Sequence, residues 1–293
     1  LHFIAYSYEQ IGQYQEAINC YKSFLENHPF SDTAWFNLGI IFYNRDNFDS
    51  AIEAFEYAIA INPDNVIEYF HLANSYFANE LYEKAIVYYN EFLKEENDDP
   101  IAEFYLGQSF YFINEKDEAL KHYENCIKID EYYPQAYFEI AKIYSETNDN
   151  VEAFKYLDKA IELDPENDEY YNLKGTIYFN RGNTDFAIAE FKKAIEINSL
   201  DDEYILNLSD TYSQTENYTE AIKILEEKKE VFNNSIIYFR LSAYYLLNKN
   251  KTKAIVFFEK GLMLNYSNYT ELLYLYPKAL DNKEFTKLLE KYK

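Results

Sequence analysis

Small side chains return along this chain at a fixed interval. Ala17, Ala51, Ala85, Ala119, Ala153, Ala187 and Ala221 stand 34 residues apart, and Ala254 follows after 33. Twelve residues ahead of each stands a second small residue: Ala5, Gly39, Ala73, Gly107, Ala141, Gly175, Ser209 and Ser242. Three residues after each of these comes a ring, at Tyr8, Phe42, Tyr76, Phe110, Tyr144, Tyr178, Tyr212 and Tyr245. A period this short cannot enclose a domain core, so it implies an array of units that bury their apolar faces against one another.

Within one period the apolar residues recur at intervals of three and four, as in Trp35, Leu38, Gly39 and Phe42, then Ala51, Phe55, Ala58 and Ile59. That is helical spacing. Polar "NRDN" at 44–47, with "TENY" at 215–218 as its counterpart, separates the two stretches and predicts a helical hairpin in each unit. Asn217 with Glu220, and Asp281 with Glu284, have the spacing of capping boxes. Pro29, Pro63 and Pro165 share one phase of the repeat. Pro100 and Pro134 fall three residues later, where a first helical position needs no N–H. The small residues allow two helices to approach closely, and the rings a turn away fill the space beside the crossing.

Composition supports a packed chain: 19% of residues are aromatic, and only 6 Gly and 6 Pro interrupt the periodic segments. The net charge of -24 is uneven, with -19 on residues 1–150 and -5 on residues 151–293. Such a field repels phosphate backbones and anionic membrane surfaces, so neither nucleic acid nor membrane is an expected partner. Cys20 and Cys126 lack any metal-ligand or redox motif and are expected as buried free thiols. This sparse cysteine usage favours a reducing interior such as the cytoplasm, while a targeting signal upstream of Leu1 is left open.

The frame of Trp35, Leu38, Gly39, Phe42, Ala51, Phe55, Ala58 and Pro63 resembles the tetratricopeptide repeat. Later units depart from it, with Tyr171 in the Trp position, Lys174 in the Leu position and Gly261 in an Ala position. The resemblance implies an all-α fold, a right-handed superhelical solenoid of antiparallel helix pairs. Eight hairpins are expected over residues 1–268, the first truncated at its start, followed over 269–293 by a lone helix and a capping helix.

The same resemblance implies that one row of each first helix faces a concave groove holding an extended peptide or a partner helix. The row reads Phe36, Ile40, Tyr43; Phe70, Asn74, Phe77; Phe104, Gln108, Tyr111; Phe138, Lys142; and Thr176, Phe179. Two readings of the Phe ladder at 36, 70, 104 and 138 stay open: rings bridging to the next hairpin, or exposed anchors for a ligand. Members that clamp a terminal carboxylate need clustered cations, and here Lys142, His71 and Arg240 stand apart. An apolar or basic protein or peptide is therefore the expected partner.

No catalytic role is expected. The four His residues, at 2, 28, 71 and 122, form no HExxH motif, and the chain has neither a Gly-rich phosphate loop nor a serine elbow. The acidic pairs at 98–99 and 201–202 are read as helix caps, and no cofactor or metal is expected. The leading role is a non-catalytic interaction scaffold. The alternative is an assembly module that stacks with further repeats or regulates a linked upstream domain.

Overall fold

The computed structural model describes residues 2–293, and the elements among them are helices joined by short turns. The chain forms two compact units, Leu1–Thr147 and Asn148–Lys293. Unit 1 contains α1 (His2–Gln10), α2 (Tyr14–Asn27), α3 (Asp32–Tyr43), α4 (Phe48–Ile61), α5 (Val66–Ala78), α6 (Tyr82–Glu95), α7 (Pro100–Phe112), α8 (Lys116–Ile129) and α9 (Pro134–Glu146). They pack in consecutive pairs, α1 with α2 through α7 with α8, and the second helix of each pair lies against the first of the next. Unit 2 contains α10 (Asn150–Leu163), α11 (Asp168–Asn180), α12 (Thr184–Ile197), α13 (Asp202–Gln214), α14 (Tyr218–Phe232), α15 (Ser235–Leu247), α16 (Lys251–Leu264), α17 (Thr270–Leu275) and α18 (Lys283–Tyr292). Its pairs are α11 with α12, α13 with α14, and α15 with α16. Each unit is thus an all-α stack of helical hairpins.

The periodic small residues lie where the helices cross. All eight alanines, from Ala17 to Ala254, are fully buried. A Cβ added at Gly39 would fall 2.6 Å from the Phe55 ring, at Gly107 2.8 Å from Tyr123, and at Gly175 2.7 Å from Phe191. In each case a ring from the second helix rests on the backbone of the first, and only hydrogen fits between them. The last hairpin reverses this arrangement. Gly261 on α16 receives Phe239 of α15, with 2.8 Å between the ring and an added Cβ, which accounts for the glycine at a usual alanine position.

The hairpin turns share one backbone device. Asp46, Glu80, Asn114, Glu216 and Lys249 have positive φ, between 56° and 66°, and Gly12 and Gly182 occupy the same phase. The next residue's N–H reaches back to the helix, as in Asn47 to Phe42 O at 3.0 Å and Leu81 to Tyr76 O at 2.9 Å, the bond of a Schellman stop. The backbone therefore ends the first helix, and side chains such as Asn47 and Asn217 then cap the second. Because a non-glycine residue in this region carries a steric penalty, Glu80→Gly should raise stability by about 0.5–1 kcal/mol, measured by urea denaturation.

Pro100 and Pro134 open α7 and α9 as expected. The expected capping box of Asp281 with Glu284 does not form: the cap lies one residue on, where Asn282 accepts from the Glu284 N–H at 3.0 Å, and Phe285 takes the position a box would give to Glu. The lone helix expected before it is broken into a 3-10 turn Tyr266–Tyr269, α17, and a second 3-10 turn Pro277–Asp281. Pro277 lacks an N–H and forces Tyr276 out of helical geometry, to φ -138° and ψ 81°. The closing helix α18 buries Phe285 against Phe258, with ring centroids 4.9 Å apart. Both cysteines are free, but only Cys126 is buried; Cys20 is half-buried.

Candidate functional site

Unit 1 carries the row from Phe36 to Lys142 on α3, α5, α7 and α9. Two rings of its Phe ladder, Phe36 and Phe104, reach the next hairpin. Phe36 lies 5.6 Å from Phe55 of its own hairpin and 5.1 Å from His71 of the next, centroid to centroid. Phe70 stands 5.1 Å from Phe92, and Phe104 stands 5.7 Å from Tyr123 and 5.1 Å from Tyr133. Phe104 is only 7% exposed, whereas Phe36, Phe70 and Phe138 are half-buried. His71, enclosed by these rings, has its imidazole pKa lowered by burial.

Beside the ladder runs an aromatic rim at the hairpin turns. Tyr43 meets Phe48 at 5.6 Å, Phe77 meets Tyr82 at 5.5 Å, and Tyr82 stacks on Phe112 at 4.6 Å. Phe112 is 53% exposed and was not among the residues picked out by the repeat frame. Its position next to Tyr111, at the end of α7, is the signal that could have found it. Ile40 is half-buried.

The polar members differ from one hairpin to the next. Tyr89 donates its hydroxyl to Asn74 Oδ1 at 2.6 Å, which closes that pair. One repeat later Tyr123 and Gln108 stand in the same two positions. The Tyr123 hydroxyl is buried without a partner, and Gln108 makes no side-chain hydrogen bond among the described residues. Further along, Tyr111 donates to Glu146 Oε1 at 2.5 Å, while the Lys142 ammonium lies 4.8 Å over the Tyr111 ring and 2.9 Å from Glu139 Oε2.

Unit 2 holds the remaining two residues of the row. Thr176 donates its hydroxyl back to Asn172 O at 2.9 Å, and Phe179 packs against the cluster around Ala187, Phe191 and Leu208. Arg240 is paired with Asp210, which also accepts from Tyr244. Lys142 and Arg240 are therefore each paired with a carboxylate, and His71 sits in a cage of rings.

Outside the row, His122 and Glu103 come together across the α7–α8 hairpin. His122 Nδ1 lies 2.6 Å from Glu103 Oε2, and the imidazole stacks on Phe110 at 5.2 Å. Cys126, one turn further along α8, has its thiol pushed up to about 12, by burial first and then by Asp130, Glu103 and Asp99. A thiol held protonated in this way is a packing group, not a nucleophile. Asp99 and Asp201 cap α7 and α13, accepting from Ala102 N at 2.7 Å and Glu203 N at 2.9 Å. Among the described residues no group of three or more His, Cys, Asp or Glu side chains gathers to hold a metal, and no helix is long and apolar enough to cross a membrane. The chain carries no catalytic motif.

Helical hairpins stacked through a small residue at every crossing define a class of repeat solenoids. Tetratricopeptide repeat models match residues 4–66, 70–134, 116–177, 168–199, 202–227 and 236–268. The chain belongs to the tetratricopeptide repeat family. No curated protein matches it. Among solved structures it is similar to MamA, at 26% identity over 55% of this chain and 95% of that one, with a TM-score of 0.53. It shares a fold with YrrB, described as a TPR protein with an unusual peptide-binding site, at 17% identity over 61% and 92% of the two chains and a TM-score of 0.51. A tetratricopeptide repeat protein from Parabacteroides merdae ATCC 43184 aligns over 89% of this chain and 98% of its own, at 16% identity and a TM-score of 0.61.

Proposed function

We propose that this chain is a non-catalytic scaffold whose unit 1 binds an extended peptide or a partner helix along the row from Phe36 to Lys142. One observation carries this reading: among the described residues the Gln108 amide makes no side-chain hydrogen bond, at the position where Asn74 of the preceding hairpin is held by Tyr89. An amide on the row that is free of side-chain partners can hydrogen-bond the backbone of an extended peptide. The half-buried rings Tyr43, Phe77 and Tyr111 belong to the same row and offer apolar area to side chains of the ligand. The charge of -19 on residues 1–150 favours a basic or apolar ligand over an acidic one. A peptide-binding site in YrrB, which shares the fold, is consistent with this use.

The burial of Phe104 decides which variants test the groove, since its removal would open a cavity in the core. Phe77→Ala with Tyr111→Ala leaves the crossings intact. Ligands selected from a random peptide library on the wild-type chain should bind this double variant about tenfold or more weakly, the loss expected on removing two interface rings. Helical content by circular dichroism should stay unchanged. Selected peptides that are indifferent to the variant, or predominantly acidic, would exclude this groove as the site.

A further inference from the structure

The acidity of the chain reverses at its C-terminal end. Residues 246–293 hold nine Lys against five Asp and Glu, a net +4, while residues 1–245 sum to -28. Four of those lysines border one cleft of about 780 Å³, formed where the turn after α15 meets the second 3-10 turn and the start of α18. Lys249 comes from the turn, Lys251 from the start of α16, Lys278 from the 3-10 segment and Lys283 from the first turn of α18. Lys251 is matched by Glu284 at 2.6 Å, and Asp281 is the other acid on the lining. Lys249, Lys278 and Lys283 have no ion-pair partner among the described residues, and Tyr276 and Leu246 supply apolar wall.

We propose that this cleft binds a carboxylate-rich peptide segment of a partner protein, at a site separate from the groove of unit 1. Charge complementarity selects the occupant. Lysine ammoniums on flexible stems suit single carboxylates that approach from different directions, and residues 246–293 contain no Arg to favour planar bidentate recognition. The volume lies within the range of sites that enclose a small ligand or a few side chains. A long polyanion is disfavoured, because whatever extends beyond the cleft meets the rest of the same unit, residues 148–245, which hold 10 Lys and Arg against 20 Asp and Glu, whereas a short acidic segment can end inside it. The scaffold would then carry two docking sites of opposite preference.

The test uses a fluorescein-labelled hexaglutamate peptide and the whole chain, read by anisotropy in about 0.1 M salt, where screening over roughly 10 Å leaves the local field in control. Wild type should bind. Lys278→Glu with Lys283→Glu should weaken binding about tenfold or more, while Lys159→Glu with Lys193→Glu, partly exposed lysines of the same unit, should change it by less than about twofold. Circular dichroism confirms that both variants fold. Absence of binding by wild type, or equal loss in the two variants, would overturn the proposal. So would self-association that depends on Lys278 and Lys283 in a chain that ignores the peptide, since the occupant would then be a second copy.

Discussion

A Gly39→Leu variant is expected to lose about 2–3 kcal/mol of stability, the cost of forcing extra volume into a packed crossing, even though leucine is the better helix former. The reason is the 2.6 Å separation between the Phe55 ring and any Cβ at this position, with Phe55 itself fully buried. Neither partner can yield cheaply: the glycine lies mid-helix in α3, and the ring is held by α4 and by contacts to Phe36 and His71. Phe55→Ala alone should cost about 3–5 kcal/mol through the cavity it leaves. In the double variant the leucine enters that cavity, so the two losses should fall short of their sum by about 2 kcal/mol. Urea denaturation of the four chains measures this coupling. Simple additivity would mean that the crossing is not the contact that sets this spacing.

This contact explains why so much of the fold is legible in the residues alone. A helix crossing tolerates few side chains, so its geometry writes the same small residue and the same ring at each turn of the array. Hairpin pairing, the crossings and the two prolines that open α7 and α9 all follow from that frame. The turn device is legible in part, because Gly12 and Gly182 mark a left-handed position that Asp46, Glu80, Asn114, Glu216 and Lys249 share without announcing it. The C-terminal end is less legible. Beyond Asn265 the period is lost, and a proline two residues after α17 decides the path locally.

The row proposed for binding is legible as a set of positions but not as a set of exposures. Phe70 and Phe104 occupy equivalent places in the frame, yet one is half-buried and the other nearly enclosed, because Tyr133 covers Phe104 from the head of α9. Tyr89 and Tyr123 are likewise equivalent, yet the first hydroxyl is bonded to Asn74 and the second, with Gln108 at the Asn74 position of its hairpin, has no partner among the described residues. Contacts between residues about nineteen apart, such as Glu103 with His122, depend on side-chain reach across a hairpin, which a periodic pattern does not encode.

Glu68 departs from the frame in a way that gives stability a pH dependence. Its slot on the first helix is filled by Ala34, Ala102, Ala136, Tyr170 and Tyr204 in other hairpins, all buried, and Glu68 is itself fully buried. One oxygen accepts from Asn65 at 2.8 Å, and the other has no partner. Burial first, and the nearby Asp32 carboxylate as well, raise its pKa from 4.5 to about 7, against the opposing hydrogen bond from Asn65. The folded chain therefore holds this proton more tightly than the unfolded chain does. The resulting stabilisation is complete below pH 4.5 and is lost progressively as pH rises to about 7. Asp32 and Asp168 titrate below their usual range and do not enter this window, but His71, its pKa lowered by burial, acts in the opposite sense as it charges in the unfolded chain at acidic pH. Comparison with Glu68→Gln cancels such terms, since glutamine keeps the shape without the ionisation. The variant should exceed wild type by about 2–3 kcal/mol in urea denaturation at pH 8, with the gap narrowing steadily towards pH 5.5. A gap that stayed constant across that range would show that Glu68 is not the group that titrates.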